Sequence, residues 1–269
     1  TTDVVREFTD PRIRYFKQEH NIGANNNFNF CLSQAQGDYF LLLLDDDQVD
    51  NDFIETCMDA ADNPDIGLIR TGTRLLAGDG NGLFGPPNKA GGLALADFFL
   101  AWFDNNTTLF VCSTLFNTRH LQDIGGFQSR HCLFQDVITE AKIIARHGRL
   151  DIEEVKAGFR KHDGNMGSAA KVSAWCEDSL DLLKLICSLA PEQRELLRQR
   201  GQIFFCKMKY SYAAAIPSLL KRYSTYLTVA RMFDYSYSPL RYAIDKDLRP
   251  RLRRTKRKFI QLLLSNSNT

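Results

Sequence analysis

Between Tyr39 and Gln48 the chain reads Tyr-Phe-Leu-Leu-Leu-Leu-Asp-Asp-Asp-Gln, an apolar run that ends abruptly in three carboxylates. A short apolar run bounded by turn signals predicts a strand covered on both faces by other elements. Upstream, Phe28, Cys31, Leu32 and Ala35 recur at helical spacing, and Gly37 is a natural helix stop. Downstream, Phe53, Ile54, Cys57, Met58 and Ala61 mark a second amphipathic helix, with Asp50 or Asn51 as its cap. Ile13 to Phe16 predicts a short strand after the Asp10-Pro11 turn, and Ile66 to Arg70 predicts another. Strand alternating with helix is the rhythm of a doubly wound α/β sheet.

From Thr71 to Gly92 the period is lost among glycines and prolines, which predicts a long loop of the kind that carries function. Leu93 to Phe103 predicts a helix, Leu109 to Phe116 a strand, and Gly125-Gly126-Phe127 a stop. A helix from Val137 to His147 starts just after Asp136, and Ile152 to Val155 predicts a short strand leading to Arg160-Lys161-His162-Asp163-Gly164-Asn165. From about Ala169 helical periodicity takes over, and Pro191 suits the first turn of a helix carrying Leu196, Leu197 and Ile203. The pattern therefore divides the chain into an α/β body, residues 1–168, and a helical region, residues 169–269.

Composition adds three constraints. At 269 residues and 44% hydrophobic, the chain can bury one large core and an accessory region. Its seven cysteines are odd in number and scattered without a CxxC pair, a usage that fits a reducing compartment and no zinc site. No apolar stretch reaches the length of a bilayer span, so a cytoplasmic or peripheral protein is expected. The net charge of +2 conceals a basic tail: residues 241–258 hold nine Lys or Arg against two Asp, leaving the body acidic.

In open α/β sheets ligands gather at the carboxyl ends of the strands, so acids placed there suit a hard divalent cation and its anionic ligand. Alone, Asp45-Asp46-Asp47 reads equally well as a solvated turn. The ordered set changes that balance: Asn21-Ile22-Gly23, the strand ending in Asp45-Asp46-Asp47, Gly125-Gly126-Phe127, and Phe134-Gln135-Asp136 opening a helix. Over roughly residues 10–170 it resembles glycosyltransferase family 2, the inverting nucleotide-sugar transferases of the GT-A fold. The resemblance implies a Rossmann-like, mixed, mainly parallel sheet flanked by helices, and a nucleoside-diphosphate sugar donor with a glycan or lipid-linked acceptor. Cell-surface polysaccharide or glycolipid synthesis is the implied setting, and no nucleic acid is expected.

By the same resemblance Asp45 and Asp47 are the metal-binding acids for Mn²⁺ or Mg²⁺, with Asp46 beside the diphosphate, and Asp136 is the base that deprotonates the acceptor. Gln135 stands where family members usually carry Glu. His162 is expected to complete the metal shell, Arg160 or Lys161 to pair with phosphate, and Asn21, Gly23 and Asn27 to border the nucleotide. Asp97, Trp102 and the glycine-rich loop would line the acceptor side, with Trp102 stacking on a sugar. Family members begin with a strand, helix and strand that supply base and ribose contacts, and Thr1 falls at about the point where that unit finishes. Either the unit lies outside this sequence or the chain is a truncated relative, with an unpaired sheet edge and a half-open nucleotide site expected.

The tail from Arg249 to Leu264 sets a cationic face beside an apolar end, a pattern that favours anionic membrane surfaces. Two rival readings remain at this level. A nucleotidyltransferase also sets acids beyond a strand, although the basic glycine-rich phosphate loop it would use is not visible. A degenerate, non-catalytic glycan- or membrane-binding subunit is the other.

Overall fold

A computed structural model describes residues 2–77, 85, 87–161 and 170–248. After a short helix α1 (Thr2–Arg6), helix α2 (Ala24–Ser33) leads into strand β1 (Tyr39–Leu41), and β2 (Gln48–Val49) follows the acidic turn. Helix α3 (Phe53–Asp59), strand β3 (Leu68–Leu76) and helix α4 (Leu95–Phe103) come next. Then come β4 (Thr114–Asn117), α5 (Thr118–Asp123), α6 (Gln135–His147) and β5 (Arg149–Arg160). Helices α7 (Val172–Leu189), α8 (Arg194–Ala214), α9 (Leu219–Met232) and α10 (Pro239–Ala243) follow, and a π-helical turn (Ile244–Leu248) completes the described chain.

The five strands form one mixed sheet in the order β1-β4-β3-β5-β2. Helices flank it, which is the α/β architecture expected of a GT-A fold. Its balance differs from expectation: β3 and β5 are parallel, while the other three pairings are antiparallel. β1 stands at one edge, bonded to β4 alone among the described strands. It is covered on both sides, since Phe40 and Leu42 enter the main core while Tyr39 and Leu41 pack on a smaller cluster around Phe53, Cys57, Ile69 and Leu115. That alternation of one side chain to each face is the period-2 geometry of a strand.

Several boundaries moved. Ile13 to Phe16 is not a strand; it is irregular chain beside α2, with the Phe16 ring edge-on to Phe30 and the Arg14 guanidinium donating to the Gln34 carbonyl. β3 runs past Arg70 into the expected loop as far as Leu76 because β5 lies parallel to it for most of its length. β5 in turn is twelve residues long, not a short strand. The segment before Thr114 is a turn of 3-10 helix, and the strand starts only there.

The C-terminal helices share the body's core. Phe103 on α4 packs its ring on Phe204 and Phe205 of α8 with centroids 5.4 and 5.8 Å apart. Gly201 allows the approach, since a Cβ there would lie 2.4 Å from Leu183 and 3.1 Å from Phe103. All seven cysteines are free thiols. Among the described residues no helix is long and apolar enough to cross a membrane.

Candidate active site

The acidic turn is fastened from behind by the end of β5. The Arg160 amide donates to Asp47 Oδ1 at 3.0 Å, and its guanidinium donates to the carbonyls of Asp46 (2.8 Å) and Ala77 (3.3 Å). Arg160, expected to meet phosphate, thus joins the turn to the end of β3, and its neighbour Lys161 lines the cleft instead. The three acids diverge: Asp45 and Asp46 line the large cleft, whereas Asp47 enters a smaller recess with Asp50 and Arg74. Asp47 is buried at 8% exposure; beside the Arg160 amide its carboxylate meets the Cys112 thiol, and among the described residues its Oδ2 has no nitrogen or oxygen donor. Burial first, and then the charge of Asp46, holds its carboxyl above the usual range, against the opposing bond from Arg160.

Hard carboxylate oxygens and a buried Oδ2 without a nitrogen or oxygen donor fit a divalent cation, because a buried carboxylate is stabilised by a proton, a donor or a metal and the Cys112 thiol is a weak donor. Among the described residues no three His, Cys, Asp or Glu side chains converge as a ligand set. His162 lies outside the described residues.

The segment carrying Asp136 is held from three directions. Asn29 of α2 grips Phe127 by both backbone groups, accepting its N–H at 2.8 Å and donating to its carbonyl at 2.9 Å. Gly126, at φ +70°, passes so close that a Cβ would lie 2.2 Å from Asn29 Oδ1. Thr139 of α6 donates to the Gly126 carbonyl at 3.0 Å. From the other side, the fully buried Asp178 of α7 accepts the N–H groups of His131 (3.0 Å) and Leu133 (3.2 Å). Nothing in the spacing of the sequence marks Asp178, since its partners are 45 and 47 residues away.

Asp136 sits in the first turn of α6, not ahead of it, and Phe134 takes the N-cap position. Its Oδ1 accepts the Val137 N–H at 2.8 Å. Burial pushes the carboxyl up to about 6, against that bond. Gln135 is buried, and its side-chain oxygen accepts from Ser129 within the same loop.

Asp45, Asp46 and Asp136 line one cleft of about 2450 Å³ together with Asn21, Gly23 and Asn27. Asn21 also has a local task, accepting the Gly23 N–H at 2.9 Å, and Gly23 at φ +79° begins α2. Trp102 reaches the same cleft, but it is buried among Phe103, Phe204 and Phe205 at 5.0–5.7 Å. Asp97 is exposed and does not line the cleft.

One feature behind the site escaped the sequence. Arg70 is fully buried, donates to Asp151 at 2.9 Å and to the Thr108 carbonyl, and lies 3.7 Å from Glu140. Arg149 bonds the other oxygen of Asp151 at 2.6 Å, and both guanidiniums lie over the Phe98 ring. Burial pushes Glu140 up to about 7 against the pull of Arg70, and the Asp136 charge adds to the rise.

The family model of glycosyl transferase family 2 matches residues 1–123. The match covers a little under half of the chain and makes that stretch similar to family 2 glycosyltransferases. It holds Asn21, Gly23, Asn27 and the acidic turn, and Asp136 follows it. Among solved structures, a mannosyltransferase from Pyrobaculum calidifontis in complex with GDP-Man and Mn2+ is similar at 14% identity and a TM-score of 0.42, over 86% of this chain and 69% of that one. No match is found among curated proteins.

Proposed function

We propose that the chain is a metal-dependent inverting glycosyltransferase that moves a sugar from a nucleoside-diphosphate donor to a hydroxyl acceptor. The observation that carries this reading is the meeting of Asn21, Gly23 and Asn27, the acids Asp45 and Asp46, and Asp136 in one cleft, from segments spread over more than a hundred residues. Asp136 takes the acceptor proton: a carboxylate with its pKa raised toward neutrality is a better base than an ordinary one and is still ionised at pH 7. A single attack from the acceptor side displaces the diphosphate and inverts the anomeric centre. Asp45 on the cleft wall would hold Mn²⁺ or Mg²⁺, with Asp47 joining it on turning from its recess toward the cleft, and the metal would neutralise charge on the departing diphosphate. Lys161 adds a cation on the cleft wall.

The test is product identity. Incubation with a panel of nucleotide sugars and Mn²⁺ is expected to release nucleoside diphosphate, and Asp136→Asn is expected to abolish transfer while donor binding, read by calorimetry, persists. Release of pyrophosphate from nucleotide triphosphates would indicate nucleotidyl transfer instead. Wild-type turnover by Asp136→Asn would remove the base assignment.

A further inference from the structure

Residues 130–134, which lead into the helix of Asp136, hang from α7 by contacts that the transfer chemistry above does not use. On the surface Arg130 pairs with Asp181 at 3.0 Å and His131 with Glu177 at 2.8 Å. Beneath them Asp178, at zero exposure, accepts two backbone N–H groups, that of His131 on Oδ1 (3.0 Å) and that of Leu133 on Oδ2 (3.2 Å). The Leu133 N–H is shared with Ser129 Oγ at 3.1 Å. Between the two donors stands Cys132 at φ +56°, a left-handed conformation that residues with a side chain rarely adopt.

A left-handed residue turns the neighbouring N–H groups toward one point and makes a concave turn that binds anions. Here the anion is the protein's own carboxylate. Such a backbone conformation persists only where its surroundings hold it, and a hydrogen bond to a carboxylate is roughly twice as strong as one to a neutral acceptor. The hold passes directly to the site. Phe134, next in the chain, is the N-cap of α6, and its carbonyl accepts the Ile138 N–H at 2.9 Å. Its ring is edge-on to Trp175 of α7 at 5.2 Å and to Phe205 of α8 at 5.8 Å. Trp175, Asp178 and Asp181 recur at a spacing of three, so one face of α7 presents the ring, the buried carboxylate and the outer ion pair to this segment.

We infer that Asp178 is a positioning residue for the reaction: by holding the left-handed turn at Cys132 it fixes where Phe134 enters α6, and through it the place of the Asp136 carboxylate on the cleft wall. The inference rests on the glycosyl-transfer reading for the role of Asp136, whereas the hold on residues 131–134 stands without it. A displacement of about 1 Å at a reacting group costs on the order of 10²-fold in rate, so a shift at the helix cap beside Asp136 reaches the chemistry.

The test is Asp178→Asn in the full chain, which sets an amide NH₂ where one accepting oxygen was. Without substrate, hydrogen exchange of a peptide spanning residues 129–138 is expected to quicken about tenfold or more, while exchange of α9 is unchanged. With the panel of nucleotide sugars and Mn²⁺, kcat for release of nucleoside diphosphate is expected to fall roughly ten- to hundredfold at an unchanged donor KM. Adding Cys132→Gly to Asp178→Asn is expected to recover severalfold of that loss, because glycine adopts the left-handed conformation without a steric penalty. An Asp178 that served stability alone would lower Tm and leave kcat of the folded protein as it was. That result, unaltered exchange of residues 129–138, or a loss of kcat that Cys132→Gly does not recover overturns the proposal. The two readings fail separately: faster exchange in a chain that releases no nucleoside diphosphate keeps the hold on residues 131–134 and removes the transferase reading, and unaltered exchange in a chain that transfers sugar removes the positioning role alone.

Discussion

Glu140 lies one helical turn beyond Asp136 on α6, so the two carboxylates share a face of the helix, one opening to the cleft and the other sealed against Arg70. The upper carboxylate is held up to about 6 by burial. A base must be ionised to act, and a group with a raised pKa is ionised only above that value. The expected pH profile of kcat/KM therefore falls about tenfold per unit below pH 6 and is flat above it. Asp136→Asn should lose on the order of 10²–10⁴ in kcat and abolish that limb, with Tm unchanged or higher because a buried charge is removed. A limb near pH 4 would place the base elsewhere.

The lower carboxylate serves the fold. Glu140→Gln is expected to destabilise the protein by roughly 3 kcal/mol, as breaking one partner of a buried ion pair does, since Arg70 would keep Asp151 but lose its second counter-charge. Urea denaturation at pH 8 measures it. Burial holds the Glu140 pKa up to about 7, so the folded state keeps its proton longer than the unfolded state. Wild type should accordingly gain stability relative to Glu140→Gln as pH falls through 7 toward the unfolded-state value, so the difference between them widens. A constant difference from pH 8 to pH 5 would mean that Glu140 stays ionised.

What the sequence disclosed and what it concealed follow from distance along the chain. The strand before the acids, the helix entered at Asp136 and the turn at Gly125-Gly126-Phe127 are written in local periodicity and turn chemistry; the helix starts two residues early, and the strand ends at Leu41, three residues short of the apolar run's end. The extension of β3 through Thr71, Gly72 and Thr73 was concealed because polar residues and a glycine look like a loop until β5 pairs with them. The ionic cluster was concealed for the same reason: Arg70 meets Asp151 across 81 residues, and a lone Arg in a strand carries no sign of its partner. Nothing local marks Asp178 or Lys209 as buried, and burial at zero exposure is a tertiary fact. The divergence of Asp45 and Asp46 from Asp47 depends on how Arg160 fastens the turn, which the motif alone cannot specify.

Gly126 should be intolerant of any side chain. Its φ of +70° disfavours L residues, and an added Cβ would lie 2.2 Å from Asn29 Oδ1, which already holds Phe127. Gly126→Ala is expected to cost roughly 2 kcal/mol or more. It should also lower kcat, because the Gly126 carbonyl holds Thr139 on the helix that carries Asp136. The same substitution placed on Asn29→Ala should cost less, since the colliding oxygen is gone. An equal cost in both backgrounds would assign the whole effect to backbone conformation.

Lys209 is the opposite case, a charge whose removal should help. It is fully buried on α8, with its ammonium 4.5–4.8 Å from the ring centres of Trp175, Phe134 and Tyr212 and its nearest polar contact the Met208 sulfur at 3.3 Å. Burial lowers its pKa to about 7, and among the described residues no carboxylate accepts from it. A folded-state pKa below the unfolded one means that the folded protein binds fewer protons between pH 7 and about 10.4, so this group opposes folding increasingly as pH falls through that window. Lys209→Met keeps the length of the side chain and the contact with the rings without the charge. It is expected to stabilise the protein at pH 7 by roughly 1–4 kcal/mol, an advantage that should fade as the pH is raised toward 10. Thermal denaturation of both proteins from pH 7 to pH 10 reads this directly, and a Lys209→Met protein less stable than wild type at pH 7 would mean that the aromatic cage outweighs the cost of burying the ammonium.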